Sequence, residues 1–237
     1  MHIRRWTRHS RSMVKRLSPM IAISALVLAM AAVVAGQLDP SPHLDPVALS
    51  ISEYAAQERG VLTEFALAML GLASLALLAG LKAASAPIDG WPERLILLWS
   101  LTLLGVAAIP WARAQDYLVA VAFLALPVAT AQLAGRFGDH DEWRPVARTL
   151  EWLTLLAGLG LAAVTYAALP GRGVLIGVAE RGLLLVEFAL VASISWQLLR
   201  VGLMTTITTV PGVVRQPVAD PTQNATSEPV SRHAHAA

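Results

Sequence analysis

Six long apolar stretches alternate with short polar segments along this chain of 237 residues. At a rise of about 1.5 Å per residue, each stretch has a length comparable to the hydrocarbon core of a bilayer, which is roughly 30 Å thick. The pattern predicts an all-α fold, a polytopic transmembrane bundle of six helices. The predicted spans cover about 19–38, 61–84, 94–109, 117–135, 150–169 and 178–203.

The ends of the chain differ from the apolar part between them. Residues 1–18 carry six basic residues and no acid, which predicts a basic cytoplasmic segment ahead of a transmembrane domain over 19–203. Residues 204–237 are rich in Pro, Thr, Ser and Ala and predict a disordered cytoplasmic tail. The first span also resembles a signal peptide, so its cleavage is left open, although its length favours an uncleaved helix.

Basic residues are distributed unequally between the two sides of the predicted membrane. With six spans, 14 of the 18 Lys and Arg residues lie on the side of the termini. Because positive charge is retained on the cytoplasmic side, we expect both termini to face the cytoplasm. Trp91, Trp143, Trp152 and Trp196 are then expected near the inner interface, and Trp111 near the outer one.

Composition supports the membrane class and excludes several kinds of chemistry. Charged residues make up 14% of the chain, compared with about 25% in soluble domains. The absence of cysteine excludes disulfides, thiolate metal sites and lipids anchored on cysteine. A net charge of +2 is too small to indicate a nucleic-acid partner.

Motifs for cofactor and metal chemistry are missing from the sequence. All six histidines lie outside the predicted spans, which excludes a transmembrane bis-histidine haem and an intramembrane histidine zinc site. The sequence contains no Walker loop, no GxSxG and no HExxH motif. The acidic stretch 139–142 has the pattern of a solvated loop and not of a metal site. We therefore expect no metal and no cofactor, and favour a protein that is not an enzyme.

Polar residues at the predicted outer side form a candidate cluster. Ser50 and Glu53 have capping-box spacing, which predicts a short helix over 51–59. Glu64, Ala68, Gly71 and Leu75 share one helix face, which is expected to pack against another helix. The cluster contains eight residues: Ser52, Glu53, Tyr54, Arg59, Glu64, Glu180, Arg181 and Glu187.

Glu187 is the deepest residue of this cluster, in the outer half of the predicted bilayer. An ionised acid at that depth is costly, so it should be neutral, paired with Arg59 or Arg181, or facing a watery cleft. Two interpretations stay open. In one the charges only hold the helices together, and in the other they line a polar cleft open to the outer leaflet.

Three stretches resemble a known family. The stretch DPVALSISEY at 45–54, followed by Gly60 and Gly71, is similar to the start of the DUF998 family of multi-pass membrane proteins. FLALP at 123–127, and GVAER at 177–181 with Glu187 after it, resemble that family's later motifs. The resemblance implies a largely prokaryotic membrane protein of six or seven helices without an assigned activity, and hence a multi-pass protein of a prokaryotic plasma membrane, such as the bacterial inner membrane.

The sequence departs from that family pattern at two places. Residues 109–112 read IPWA where members tend to carry a turn like Phe-Pro-Thr-Asp. Residues 115–117 read QDY where a histidine would be expected at the start of the fourth span. A role that depends on that histidine is not carried over to this chain.

We expect an integral membrane protein whose outer polar cleft binds a membrane lipid or another membrane protein. One alternative is a small proton-coupled transporter using Glu64 and Glu187. Against it stand the lack of an internal repeat and of an acid at the predicted middle of the bilayer. Another is a membrane enzyme acting on lipid head groups through Glu53, Glu64 and Glu187, which lacks a nucleophile or metal set.

Overall fold

The computed structural model describes residues 3–37, 60–109, 112–169 and 176–208. These residues form six α-helices and no strand, and each helix contains a segment long and apolar enough to cross a membrane. The prediction of an all-α bundle with six spans is thereby confirmed. The helices are α1 (Ile3–Gln37), α2 (Gly60–Ala83), α3 (Trp91–Ala108), α4 (Ala112–Gly138), α5 (Arg144–Ala167) and α6 (Ile176–Thr208).

Consecutive helices pack against one another, and α6 returns to pack against α1, so the six helices close a ring. Helix α6 also contacts α2 and α4, whereas α3 and α6 are not neighbours. Among the six spans, that of α6 is the most buried and that of α5 the least. We call the end of the bundle where α2 begins the Gly60 end, and the opposite end, with the loops 84–90 and 139–143, the Ser85 end.

Glycines set the closest approach between helices. A Cβ atom on Gly71 would lie 3.0 Å from the carbonyl oxygen of Ser100 and 3.0 Å from Cγ of Leu104, both on α3. A Cβ atom on Gly80 would lie 2.6 Å from Cδ2 of Leu198 on α6, at a point where Ser18 of α1 also meets α2. Small residues let membrane helices approach in this way. The predicted packing of Gly71 against another helix is confirmed.

The loop between α4 and α5 is shorter than the predicted polar segment at 136–149. Helix α4 continues to Gly138, and α5 begins at Arg144 with a proline in its first turn, a position that proline favours. The rings of Phe137 and Trp143 stack with their centroids 4.9 Å apart. The side-chain amide of Gln197 on α6 donates to the carbonyl of Glu142. Residues 139–142 are exposed, as expected of a solvated loop.

Four tryptophans lie toward the Ser85 end, three of them exposed and one buried. Trp91, Trp152 and Trp196 are exposed on the outside of the bundle. Trp143 is buried, because its ring stacks on Phe137 inside the loop between α4 and α5. Trp111 lies outside the described residues.

Other predictions concern the ends and the connections. Helix α1 begins at Ile3 and contains both the basic segment and the first span, which begins at Leu17. Helix α6 continues to Thr208, so residues 204–208 of the tail that was predicted to be disordered are helical. The rest of that tail and the predicted helix over 51–59 lie outside the described residues.

Candidate functional site

The predicted polar cluster is only partly within the described structure. Ser52, Glu53, Tyr54 and Arg59 lie outside the described residues. The other four members lie on two helices, with Glu64 on α2 and the remaining three on α6. The structure therefore locates half of the cluster and leaves the cluster as a whole a prediction.

Glu64 lies near the Gly60 end, four residues after the start of α2. It is half-buried and makes no hydrogen bond or ion pair with the residues that the structure describes. Its position agrees with the prediction of an acid at one end of the second span. The structure gives it no partner on α6.

Glu180 and Arg181 lie in the second turn of α6, also near the Gly60 end. Arg181 is half-buried, and its guanidinium donates to the carbonyl oxygen of Gly177 over 3.0 Å. Glu180 is buried and lines a cleft of about 510 Å³. Helices α4, α5 and α6 form the cleft with ten residues: Val119, Ala120, Phe123, Leu124, Leu161, Val164, Thr165, Ala168, Ile176 and Glu180.

The lining of this cleft is almost entirely apolar. Eight of its ten lining residues are aliphatic or aromatic, Thr165 donates its hydroxyl to the carbonyl of Leu161, and Glu180 supplies the one carboxyl group. Pockets for small ligands have volumes of about 300–1,000 Å³ and apolar walls with a few polar groups. The cleft thus has the size and lining of a site for an apolar chain with a polar group at its end.

Glu187 lies on the same face of α6 as Glu180, two turns further on, in different surroundings. Its side chain is fully buried, and the indole N–H of Trp99 on α3 is beside its carboxyl. Neither group has a hydrogen-bond partner in ordinary geometry within the described structure, so the contact with Trp99 is close without being a regular hydrogen bond. Glu187 also forms no ion pair there, so the predicted pairing with Arg181 is not observed.

Glu187 is deeper than the sequence suggested. It lies about 17 Å along α6 from its first residue, at 1.5 Å per residue. Trp99, beside it, is at the midpoint of α3. The carboxyl therefore lies at the middle level of the bundle and not near one end.

Two features of the site were missed by reasoning from sequence. The first is Trp99, for which a signal existed: tryptophans favour membrane interfaces, and this one is in the middle of a span. The second is the contribution of α4 and α5 to the cleft. No local pattern shows which faces of those helices turn toward α6.

Metal chemistry finds no support in the described part of the chain. No group of three or more His, Asp or Glu side chains there could hold a metal ion.

Comparison with known proteins adds a family and no activity. The model of the DUF998 family, described as "Protein of unknown function", matches residues 23–197. That range contains Glu64, Glu180 and Glu187 and all the residues that line the cleft. No curated protein and no solved structure matches the chain.

Proposed function

The chain belongs to the DUF998 family, whose description assigns no activity, and we propose from the geometry of the bundle that it binds a membrane lipid. The site is the cleft between α4, α5 and α6 at the Gly60 end. An acyl chain lies along the apolar wall, and the lipid head group lies near Glu180 and Arg181. The observation that carries this proposal is the coincidence of an apolar cleft of about 510 Å³ with a buried carboxyl in its lining.

The apolar wall supports an acyl chain as the occupant. Phe123 and Leu124 of α4 face the cleft together with Leu161 and Val164 of α5. Since lipid tails are as apolar as these side chains, the chain is held by shape and van der Waals contact more than by the hydrophobic effect. The polar head group then decides which lipid binds.

The polar end supports a head group with hydrogen-bond donors. A carboxyl group accepts from an amine or a hydroxyl, and a guanidinium donates to a phosphate. Glu180 lines the cleft, and Arg181 follows it on α6 outside that lining. A zwitterionic phospholipid is complementary to the two groups, with its amine at Glu180 in the cleft and its phosphate beyond the cleft toward Arg181.

The length of the cleft favours a lipid over a transmembrane helix of another protein. On α5 the lining extends from Leu161 to Ala168, which is about 10 Å along the helix axis. A partner helix about 10 Å wide would need a groove along much of the 30 Å hydrocarbon core. Another membrane protein remains the second candidate occupant and is distinguished by the experiment below.

The experiment compares two substitutions of exposed alanines. Ala120→Phe puts a ring into the cleft, whereas Ala162→Phe puts the same ring on a part of α5 that does not line it. The protein is extracted in mild detergent and examined by native mass spectrometry. We expect the wild type and Ala162→Phe to retain phospholipid. The amount of phospholipid retained by Ala120→Phe should be at least tenfold lower than that retained by the wild type.

Three outcomes would count against the proposal. Equal retention of phospholipid by the two variants would place the bound lipid elsewhere. A second protein chain, lost only in Ala120→Phe, would show that the cleft holds a partner protein. If the wild type retains neither a lipid nor a second protein chain, the cleft is not a binding site.

We also propose that the Ser85 end faces the cytoplasm of a prokaryote, with the protein in its plasma membrane. The support is the unequal division of Lys and Arg between the two ends. Because the chain has no cysteine, single cysteines can be introduced without background. In intact cells, a membrane-impermeant maleimide should label Leu169→Cys and not Asp141→Cys. The reverse labelling would overturn this orientation.

A further inference from the structure

Five buried polar atoms in the described residues have no hydrogen-bond partner, and three of them are at one place. Both carboxyl oxygens of Glu187 and Nε1 of Trp99 meet in the middle of the bundle. The other two are the hydroxyl oxygens of Ser18 and Ser195. An unsatisfied buried polar group is destabilising, so three at one point call for an occupant that pairs with them.

A small rearrangement of the protein cannot pair all three of these atoms. A carboxyl group has two oxygens, and a single indole N–H can donate to only one of them. The buried hydroxyls on α2 and α3 already donate elsewhere. Ser74 donates to the carbonyl of Leu70, Ser100 to that of Ile96, and Thr102 to that of Trp99.

No cation among the described residues is close enough to pair with Glu187. On its own helix Arg181 is about 9 Å away along the axis and Arg200 about 20 Å away in the other direction. The span of α1 contains no charged residue. The charged side chains described on the other helices are toward one end or the other: Glu64 at the Gly60 end, and Lys82, Glu93, Arg94, Arg136, Arg144, Arg148 and Glu151 at the Ser85 end.

We propose that the centre of the bundle is a hydrated proton-exchange site, in which internal water hydrogen-bonds to the Glu187 carboxyl and to the Trp99 indole. Water is the fitting occupant because it accepts from the indole N–H and both donates to and accepts from a carboxyl group. The proton leaves the carboxyl oxygen for the water, and a proton from the water returns to the same carboxyl. No other bond changes.

This inference is independent of lipid binding, because Glu187 is not part of the cleft lining. It assigns a second site to the chain, whose ligands are water and a proton. A carboxyl that exchanges its proton at this level is the group that a proton-coupled carrier would need.

The test is infrared spectroscopy of the full chain in lipid vesicles. The C=O stretching band of a protonated carboxyl group shifts when its proton is replaced by deuterium. The band of Glu187 is identified as the one that Glu187→Gln removes and Glu187→Asp moves, so the assignment survives if one variant fails to fold. After transfer to D₂O, we expect this band to shift while the backbone amides of the spans are still largely protonated.

Trp99→Phe removes one of the two groups that hold the water, and Trp152→Phe is its matched control on the outside of α5. We expect the Glu187 band to change its position or its exchange rate in Trp99→Phe only. The proposal is overturned if the wild type shows no protonated-carboxyl band that depends on Glu187. It is also overturned if that band never exchanges, or if Trp99→Phe and Trp152→Phe behave alike.

Discussion

The contact between α2 and α3 at Gly71 can be tested by adding one carbon atom. In Gly71→Ala the new Cβ would lie 3.0 Å from the Ser100 carbonyl oxygen and 3.0 Å from Cγ of Leu104. Both distances are shorter than ordinary van der Waals contacts of a Cβ atom, so the neighbouring atoms must move by a few tenths of an ångström. The carbonyl belongs to the backbone of α3 and cannot rotate away. The two helices must therefore separate.

The magnitude follows from two opposing terms. Overpacking of this kind costs about 1–3 kcal/mol, whereas replacing glycine by alanine inside a helix gains about 1 kcal/mol. Gly158→Ala is the matched control, because nothing lies within 4 Å of its added Cβ and only the gain applies. We expect Gly71→Ala to be less stable than Gly158→Ala by about 1–3 kcal/mol, and each 1.4 kcal/mol is tenfold in the unfolding equilibrium.

The assay is unfolding in mixed micelles, with increasing dodecyl sulfate and tryptophan fluorescence as the signal. The free energies of unfolding of the two variants are compared under identical conditions. If both variants are equally stabilised, the close approach of α2 and α3 at Gly71 is refuted. A loss of stability in Gly158→Ala would instead show that this exposed position on α5 packs against another molecule.

Three further predictions concern the described bundle. Glu187→Leu removes two buried oxygens that no described protein group pairs and keeps most of the volume, so we expect it to unfold at no lower dodecyl sulfate concentration than wild type, although it abolishes any proton exchange there. Phe137→Leu removes the stack with Trp143 and should cost about 0.5–1.5 kcal/mol beyond the lost burial, measured in the same titration. Lys82 and Glu93 form an ion pair in which the Lys82 side chain is exposed to solvent. Glu93→Gln should therefore change the unfolding free energy by less than about 1 kcal/mol, and by less still in high salt.

The two buried glutamates of α6 belong to different sites and can be tested separately. Glu180 and Glu187 are two turns apart on one face of α6 and are both buried. Glu180 borders the cleft that we propose binds lipid, whereas Glu187 is fully buried beside Trp99. Loss of lipid with Glu180→Gln and loss of proton exchange with Glu187→Gln would therefore be separate results.

The sequence by itself determined the number, type and approximate limits of the spans. Backbone groups in a bilayer must be paired within the segment, so an apolar stretch of sufficient length can only become a helix. Glycine at position 71 likewise indicated close packing, because only a small residue permits it. Proline in the first turn of α5 was visible in the sequence, but the loop between α4 and α5 was predicted too long because its charged residues continue into both helices.

Only the tertiary structure decided which faces meet. The contact between Trp99 and Glu187 joins two helices that are not neighbours, and the cleft requires α4, α5 and α6 together. Hydropathy does not set the rotation of a membrane helix or the order of helices around a ring, because lipid and protein surfaces are equally apolar there. Those choices depend on how side chains from distant parts of the chain fit together.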